Sequence, residues 1–248
     1  MRTAIQLYTL RVLDEPLTQT LDRVADTPLD GAEFSADGAT DEAVREKLDE
    51  TGLRVPSLGV DPKGLEDVHP RLIDACEAVG CDRFVLGYLG PEYFESRETA
   101  IETADRVSEY VANVAEHGLD LCYHNHAHEF TDLDDRTAFD VFVDHVDDRL
   151  LFELDLGWIG TGGDDPAARL TELGDRTPLV HVKDMQFETG AFADLGAGDL
   201  NLEDVLRTAR EQDVEWAIYE HDEPDDPLNA LERDSRTLVD AVDTIRSD

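Results

Sequence analysis

Lysine is nearly missing from this chain: only Lys47, Lys63 and Lys183 occur, and the remaining basic residues are arginines. With 59 acidic residues against 21 basic ones and a formal charge of −38, the chain lacks the clustered cations that sequence-independent binding to nucleic acid phosphates requires. Anionic membrane surfaces are disfavoured for the same reason. Cysteine is scarce too. Cys76, Cys81 and Cys122 show no CxxC spacing, which argues against a disulfide framework or a structural zinc site and makes them small core residues. No apolar run approaches the roughly 18 to 20 residues of a membrane-spanning helix. The N-terminal MRTAIQLYTLRVLDEP has neither a long apolar h-region nor a small-residue cleavage site, and it alternates as a strand does, so a cytoplasmic protein is expected.

The acidic residues spread along the whole chain instead of forming a tail, and aromatic and β-branched residues recur in regular blocks, so the charge belongs to a folded surface and not to a disordered chain. Arginine in place of lysine on such a surface resembles the composition of proteins from salt-loving organisms, where concentrated salt screens the self-repulsion.

Short apolar runs alternate with amphipathic stretches. The strand candidates are 4–10, 31–35, 54–60, 83–89, 119–125, 150–156, 178–184 and 216–222. Between them lie helix candidates that open at Asp, Asn, Ser or Thr, and several end at glycine, as in DETGL, EAVGC and AEHGL. Eight such units in 248 residues predict one (β/α)8 TIM barrel spanning 1–248. A doubly wound open sheet is the alternative, but no GxGxxG or GxxxxGK[ST] loop supports it.

In a barrel, functional residues gather where the strands end. Those ends carry Gln6 and Tyr8, Glu33, Tyr88, His124 to His126, Asp155, His181 and Lys183, then Glu220 and His221. Ring closure brings His124, Asp155, His181 and Glu220 together, and two imidazoles with two carboxylates suit Mn²⁺, Co²⁺, Zn²⁺ or Fe²⁺ better than Mg²⁺. A lone histidine in an apolar strand is more often a hydrogen-bonded core residue. A carboxylate there is harder to dismiss, because burial demands a partner. Alternation puts His126 on the face of His124, and Lys183 on that of His181. A lysine kept in a buried strand of a lysine-poor chain suggests an amine with a lowered pKa, the plainer alternative being a salt bridge to Asp184 or Glu153. His128 is expected to be a solvated loop residue, and His69, His117 and His145 surface residues. His221 would orient Glu220. Tyr8, Glu33, Tyr88 and Trp158 are candidates for lining a substrate site, with packing as the alternative for each, and Glu129 would either reach back to a substrate hydroxyl or cap its loop.

The succession YHNHAHEF, FELDLGWIGTGGDDPAARL, PLVHVKDM and VEWAIYEHDEP resembles the xylose isomerase-like TIM-barrel superfamily, in its sugar phosphate isomerase/epimerase branch, which includes inosose dehydratase. The opening AIQLYTLR and the later GAEFS are similar as well, so the likeness covers nearly the whole chain. The resemblance implies one divalent metal held by residues of strands five to eight. His124 stands where many members have glutamate, while Asp155, His181 and Glu220 match the other ligands. In epimerase members the two metal-bound glutamates are thought to act as paired acid and base. Only Glu220 remains of that pair. For dehydratase members, the resemblance implies His126 and Lys183 as acid and base. The implied activity is a proton transfer next to a carbonyl of a small-molecule sugar or polyol, as isomerase or epimerase. A keto-polyol dehydratase is the nearest alternative, and a non-catalytic sugar-binding barrel a more distant one. DNA-repair endonuclease IV shares the barrel, but this chain has too few histidines and no basic stripe. GTGGDD near residue 160 would repel a phosphate, which favours an unphosphorylated substrate, and a homo-oligomer is left open.

Overall fold

The apolar runs become strands because neighbouring strands satisfy their backbone groups while both sheet faces are covered. A computed structural model describes residues 1–247. It shows β1 (Arg2–Gln6), β2 (Gly31–Ser35), β3 (Leu58–Gly59), β4 (Arg83–Leu86), β5 (Asp120–His124), β6 (Leu151–Asp155), β7 (Leu179–Val182) and β8 (Trp216–Tyr219). These form a closed parallel barrel, sealed by β1 against β8, with helices between successive strands. The fold is the (β/α)8 barrel. The expected third strand, 54–60, shrinks to Leu58–Gly59 with a single bridge from Arg54 to Gly31, because Pro56 has no N–H to offer a ladder.

Helix ends follow the local chemistry. The long helix Arg97–Ala115 opens on a capping box between Ser96 and Thr99, and Glu42–Thr51 ends at Gly52 with φ +75°, a conformation that favours glycine.

Strand alternation divides the residues into two populations. Ile5, Phe84, Tyr123, Phe152, Leu154, Val180 and Tyr219 belong to the main core. Each fully buried Leu or Phe there contributes about 1.5–3 kcal/mol. Ala4, Val85, Cys122, Leu179, Trp216 and Ile218 form a second, separate apolar cluster. Two residues beyond Ala4, Cys122, Leu179 and Ile218 come Gln6, His124, His181 and Glu220, on the same side by strand periodicity. The barrel interior is thus apolar at one end and polar at the other. All three cysteines are buried and free.

Two hairpins that periodicity did not anticipate decorate the chain: Asp132–Leu133 with Arg136–Thr137, and Asp184–Gln186 with Ala191–Ala193. Asp184 organises the second. Its carboxylate accepts from the backbone N–H groups of Met185, Gly196, Gly198 and Leu200 at 2.9, 2.8, 3.0 and 3.1 Å.

Gly157 lets the helix Leu156–Thr161 lie directly on the chain leaving β7, since a Cβ there would come within 2.4 Å of the Lys183 carbonyl oxygen. Gly157→Ala is therefore expected to cost about 1–3 kcal/mol, read as a lower midpoint of denaturant unfolding; an unchanged midpoint would contradict this close packing.

Candidate active site

Register explains the site. The β5–β6 pairing places His124 opposite Glu153, β6–β7 places Asp155 opposite His181, and β1–β2 places Gln6 opposite Glu33. Most of these polar ends face one cavity of about 860 Å³, which also takes in His126, Lys183, Glu220 and Asp222.

Within it, His124 Nδ1 lies 3.1 Å from Glu153 Oε2, and its Nε2 is 3.9 Å from Asp155 Oδ2. His181 is surrounded by carboxylates, with Nδ1 2.9 Å from Glu220 Oε2 and Nε2 at 3.1 Å from Glu153 and 3.4 Å from Glu33. Asp155 divides its duties. Its Oδ1 caps the following helix by accepting from Trp158 N at 2.8 Å, which leaves Oδ2 for the cluster. The Asn125 amide clamps the Asp155 backbone, accepting from its N–H at 3.0 Å and donating to its carbonyl at 3.3 Å.

One ligand atom from each of His124, Asp155, His181 and Glu220 lies within 4.8 Å of the others, and all four residues are buried. Asp155 Oδ2, His181 Nε2, Glu33 Oε2 and Glu153 Oε1 are buried without a hydrogen bond of good geometry. Buried polar atoms are rarely left so. A mixed imidazole and carboxylate set with unsatisfied atoms fits a divalent cation.

Lys183 is 1% exposed, and its ammonium touches Asp155 at 3.1 Å, Glu220 at 2.9 Å and Asp222 at 3.1 Å, with the Trp158 ring centroid 4.9 Å away. Burial opposes its charge, but those three carboxylates hold its pKa above the ordinary lysine value. The expectation of a lowered amine pKa is thus corrected: this lysine is an ammonium. The suggested partners Asp184 and Glu153 are replaced by Asp155, Glu220 and Asp222.

Burial and the neighbouring Glu33 push Glu153 up to about 8, and burial pushes Asp155 up to about 6 against the pull of Lys183. Burial also works against charge on His181, yet Glu153, Glu33 and Glu220 hold it well above the ordinary histidine value. Burial would raise Glu220, but Lys183 and His181 keep it well below the usual carboxylate range. Burial drives His124 well down, and burial with Lys183 and His128 lowers His126 to about 3. Both imidazoles are neutral, and His126 Nδ1 is buried without a partner.

Tyr8, Glu33 and Tyr88 line the cavity, as do His124 and His126, whose ring centroids are 5.0 Å apart. Glu129 does not line it. It is fully buried, accepting from Tyr123 Oη and His126 N at 2.8 Å each, so it braces the loop behind His126. Trp158 stands beside the cavity, packed against Lys183 and His126. His128 is not a solvated residue: its Nε2 lies 2.8 Å from the Leu89 carbonyl oxygen, and its ring packs near Phe94 and Tyr88. His221 makes no side-chain bond to Glu220 and instead accepts from Glu223 N through Nδ1. His69, His117 and His145 are exposed. Glu153, Asp222 and Asn125 were the residues passed over as site members. Glu153 and Asp222 each lie two positions from a candidate ligand, the spacing that had flagged His126 and Lys183.

Solved structures share this architecture. A sugar phosphate isomerase/epimerase from Parabacteroides distasonis superposes with a TM-score of 0.81 at 19% identity, covering 98% of this chain and 95% of that one. A probable 3-DHS dehydratase involved in petrobactin synthesis from Bacillus anthracis gives 0.77 at 15%, covering 96% and 99%. A 3-keto-D-glucoside 4-epimerase from E. coli gives 0.69 at 16%, covering all of both chains. At these identities the likeness is one of fold. No curated protein matches the sequence. The profile described as "Xylose isomerase-like TIM barrel" matches residues 21–241. With that match spanning most of the chain and the closed eight-stranded barrel beneath it, the protein belongs to the xylose isomerase-like TIM-barrel family.

Proposed function

We propose that this protein is a divalent-metal-dependent sugar isomerase or epimerase, moving a proton on the carbon next to a carbonyl of a sugar or polyol. The observation that carries the reading is the pairing of the His124, Asp155, His181 and Glu220 cluster with proton-handling groups in one cavity. A cation such as Mn²⁺, Co²⁺ or Zn²⁺ bound to those four residues would polarise the substrate oxygen.

The chain's own groups supply the rest. His126 is neutral with Nδ1 free, the state a general base needs to take a proton from carbon. Lys183, held as an ammonium among Asp155, Glu220 and Asp222, would donate to the oxygen that becomes negative as that proton leaves by giving up one of those contacts. Glu220, held ionised, is the second proton acceptor. β5 and β8 stand three places apart around the eight-stranded ring, so His126 and Glu220 arise from different sides of the barrel. With both groups in their basic forms, the proton that His126 takes can be returned by the His126 imidazolium to the neighbouring carbon, as in isomerisation. Return on the opposite face needs Glu220 to take up a proton from solvent first. Loss of water from a keto-polyol is the second reading: the proton that His126 takes from carbon would leave with the hydroxyl as water, with the Lys183 ammonium hydrogen-bonded to that oxygen.

Metal binding should release protons, since metal ligands must be deprotonated. His181, raised above its ordinary value, and Asp155, raised to about 6, are protonated below those values and compete with the cation there. Mn²⁺ affinity measured by calorimetry should therefore rise with pH through about 6 and above; a pH-independent affinity would contradict the ligand set. Elemental analysis should find one divalent ion per chain, lost in His124→Ala and Asp155→Ala but kept in Lys183→Ala. Retention in all three would remove the assignment.

In D₂O, keto-sugars turned over by the metal-loaded protein should gain deuterium beside the carbonyl without losing water, as read by NMR and mass spectrometry. A product lighter by one water would select the dehydratase. His126→Ala and Lys183→Ala should each lower kcat by about 10²–10⁴, and wild-type rates in both would refute these roles.

A further inference from the structure

We propose that the substrate of this site, on the sugar-directed reading above, is an uncharged saccharide of at least two rings. The reacting ring would lie on the polar floor, and the next ring would rest on Tyr8 and Tyr88 at the mouth.

Size is the first argument. The cavity of about 860 Å³ lies toward the upper end of small-molecule sites, which run roughly 300–1,000 Å³. The histidines and carboxylates that handle protons occupy only its floor, so a single sugar ring in reach of them leaves the rest empty.

The mouth supplies the second. Among the described residues, the large apolar side chains left exposed are Tyr8 at 52%, Val12 at 65%, Tyr88 at 56% and Leu228 at 39%, and the two tyrosines both line this one opening. Both rings are held in place. Arg11 stacks on Tyr8 with its guanidinium carbon 3.8 Å from the ring centroid, and Tyr88 packs edge-on against His126 at 5.0 Å and His128 at 5.9 Å. Half-exposed tyrosines, with only two side-chain torsions each, offer contact area at little entropic cost, and their faces suit the C–H surface of a sugar ring.

Charge is the third, and it disfavours a phosphorylated ligand on the floor of the cavity. Among the described residues no arginine lines the cavity, Arg11 being stacked on the Tyr8 ring at its mouth, and the cavity's lysine is already held by Asp155, Glu220 and Asp222, while Glu33, Asp61 and Glu153 add further carboxyl groups to the lining. A phosphate would be desolvated among like charges. In this fold, phosphate is often received by backbone N–H groups in the loops after the seventh and eighth strands. Here the N–H groups of Gly196, Gly198 and Leu200, after β7, already donate to Asp184.

The test is calorimetric titration of the Mn²⁺-loaded protein in molar salt with cellobiose, maltose, sucrose and trehalose, against glucose and glucose 6-phosphate. At least one disaccharide should bind about tenfold tighter than glucose, and glucose 6-phosphate no tighter than glucose. Tyr8→Ala and Tyr88→Ala should weaken the disaccharide by about threefold to tenfold and weaken glucose by less, and Tyr8→Phe and Tyr88→Phe should restore binding. Tightest binding by glucose 6-phosphate, disaccharides no tighter than glucose, no binding of any probe, or indifference to both alanine substitutions would overturn the proposal. Metal content and deuterium incorporation test the proton-transfer reading without these ligands, so the two failures are distinguishable.

Discussion

Burial of like charge governs this molecule. Glu33, Glu153, Asp155 and Glu220 are all nearly or fully buried at one end of the barrel, with Lys183 as the lysine among them. Two unit charges 4 Å apart interact by about 4 kcal/mol at an effective dielectric constant near 20, so several such carboxylates cannot all ionise without compensation. The chain meets this with the Lys183 ammonium, a proton on His181 and a retained proton on Glu153. Those protons occupy the place in the charge balance that a divalent cation would take, which is why affinity for a cation and pH are coupled here.

The barrel makes that arrangement tolerable. Parallel register fixes His124 against Glu153 and Asp155 against His181, and the capping bond from Trp158 N together with the Asn125 clamp holds Asp155 from both sides. The same geometry explains why a lysine survives in a chain that otherwise uses arginine. A compact ammonium meets three carboxylates between 2.9 and 3.1 Å, whereas a planar guanidinium needs more room and a fork of acceptors. Where arginine's fork is an advantage, the buried Arg169 binds Asp140, Asp164 and Glu172 together.

Much of the architecture was legible because a barrel strand has a simple period and a short reach. Alternation from Cys122 to His124 and from Leu179 to His181 points a specific side chain inward, and ring closure then makes the clustering of distant residues a geometric necessity. Two kinds of information were not legible. Residues beyond the strand ends turn with their loops: His128 packs near Phe94 and His221 turns to Glu223, while Glu129 takes the loop-capping one of its two readings by accepting from the His126 backbone. No periodicity governs such turns. Protonation was the second, since the lowered amine expected of Lys183 depends on how many carboxylates surround it. Glu153 and Asp222 illustrate the gap, because each sits at the spacing of an inward residue but reads in isolation as one more acid in an acidic chain.

The most direct measurement is anomalous diffraction from a crystal of the protein soaked with Mn²⁺. A single strong anomalous peak in contact with His124, Asp155, His181 and Glu220 is the predicted result. A peak elsewhere, or none at this cluster in a crystal that has taken up the ion, would contradict the account.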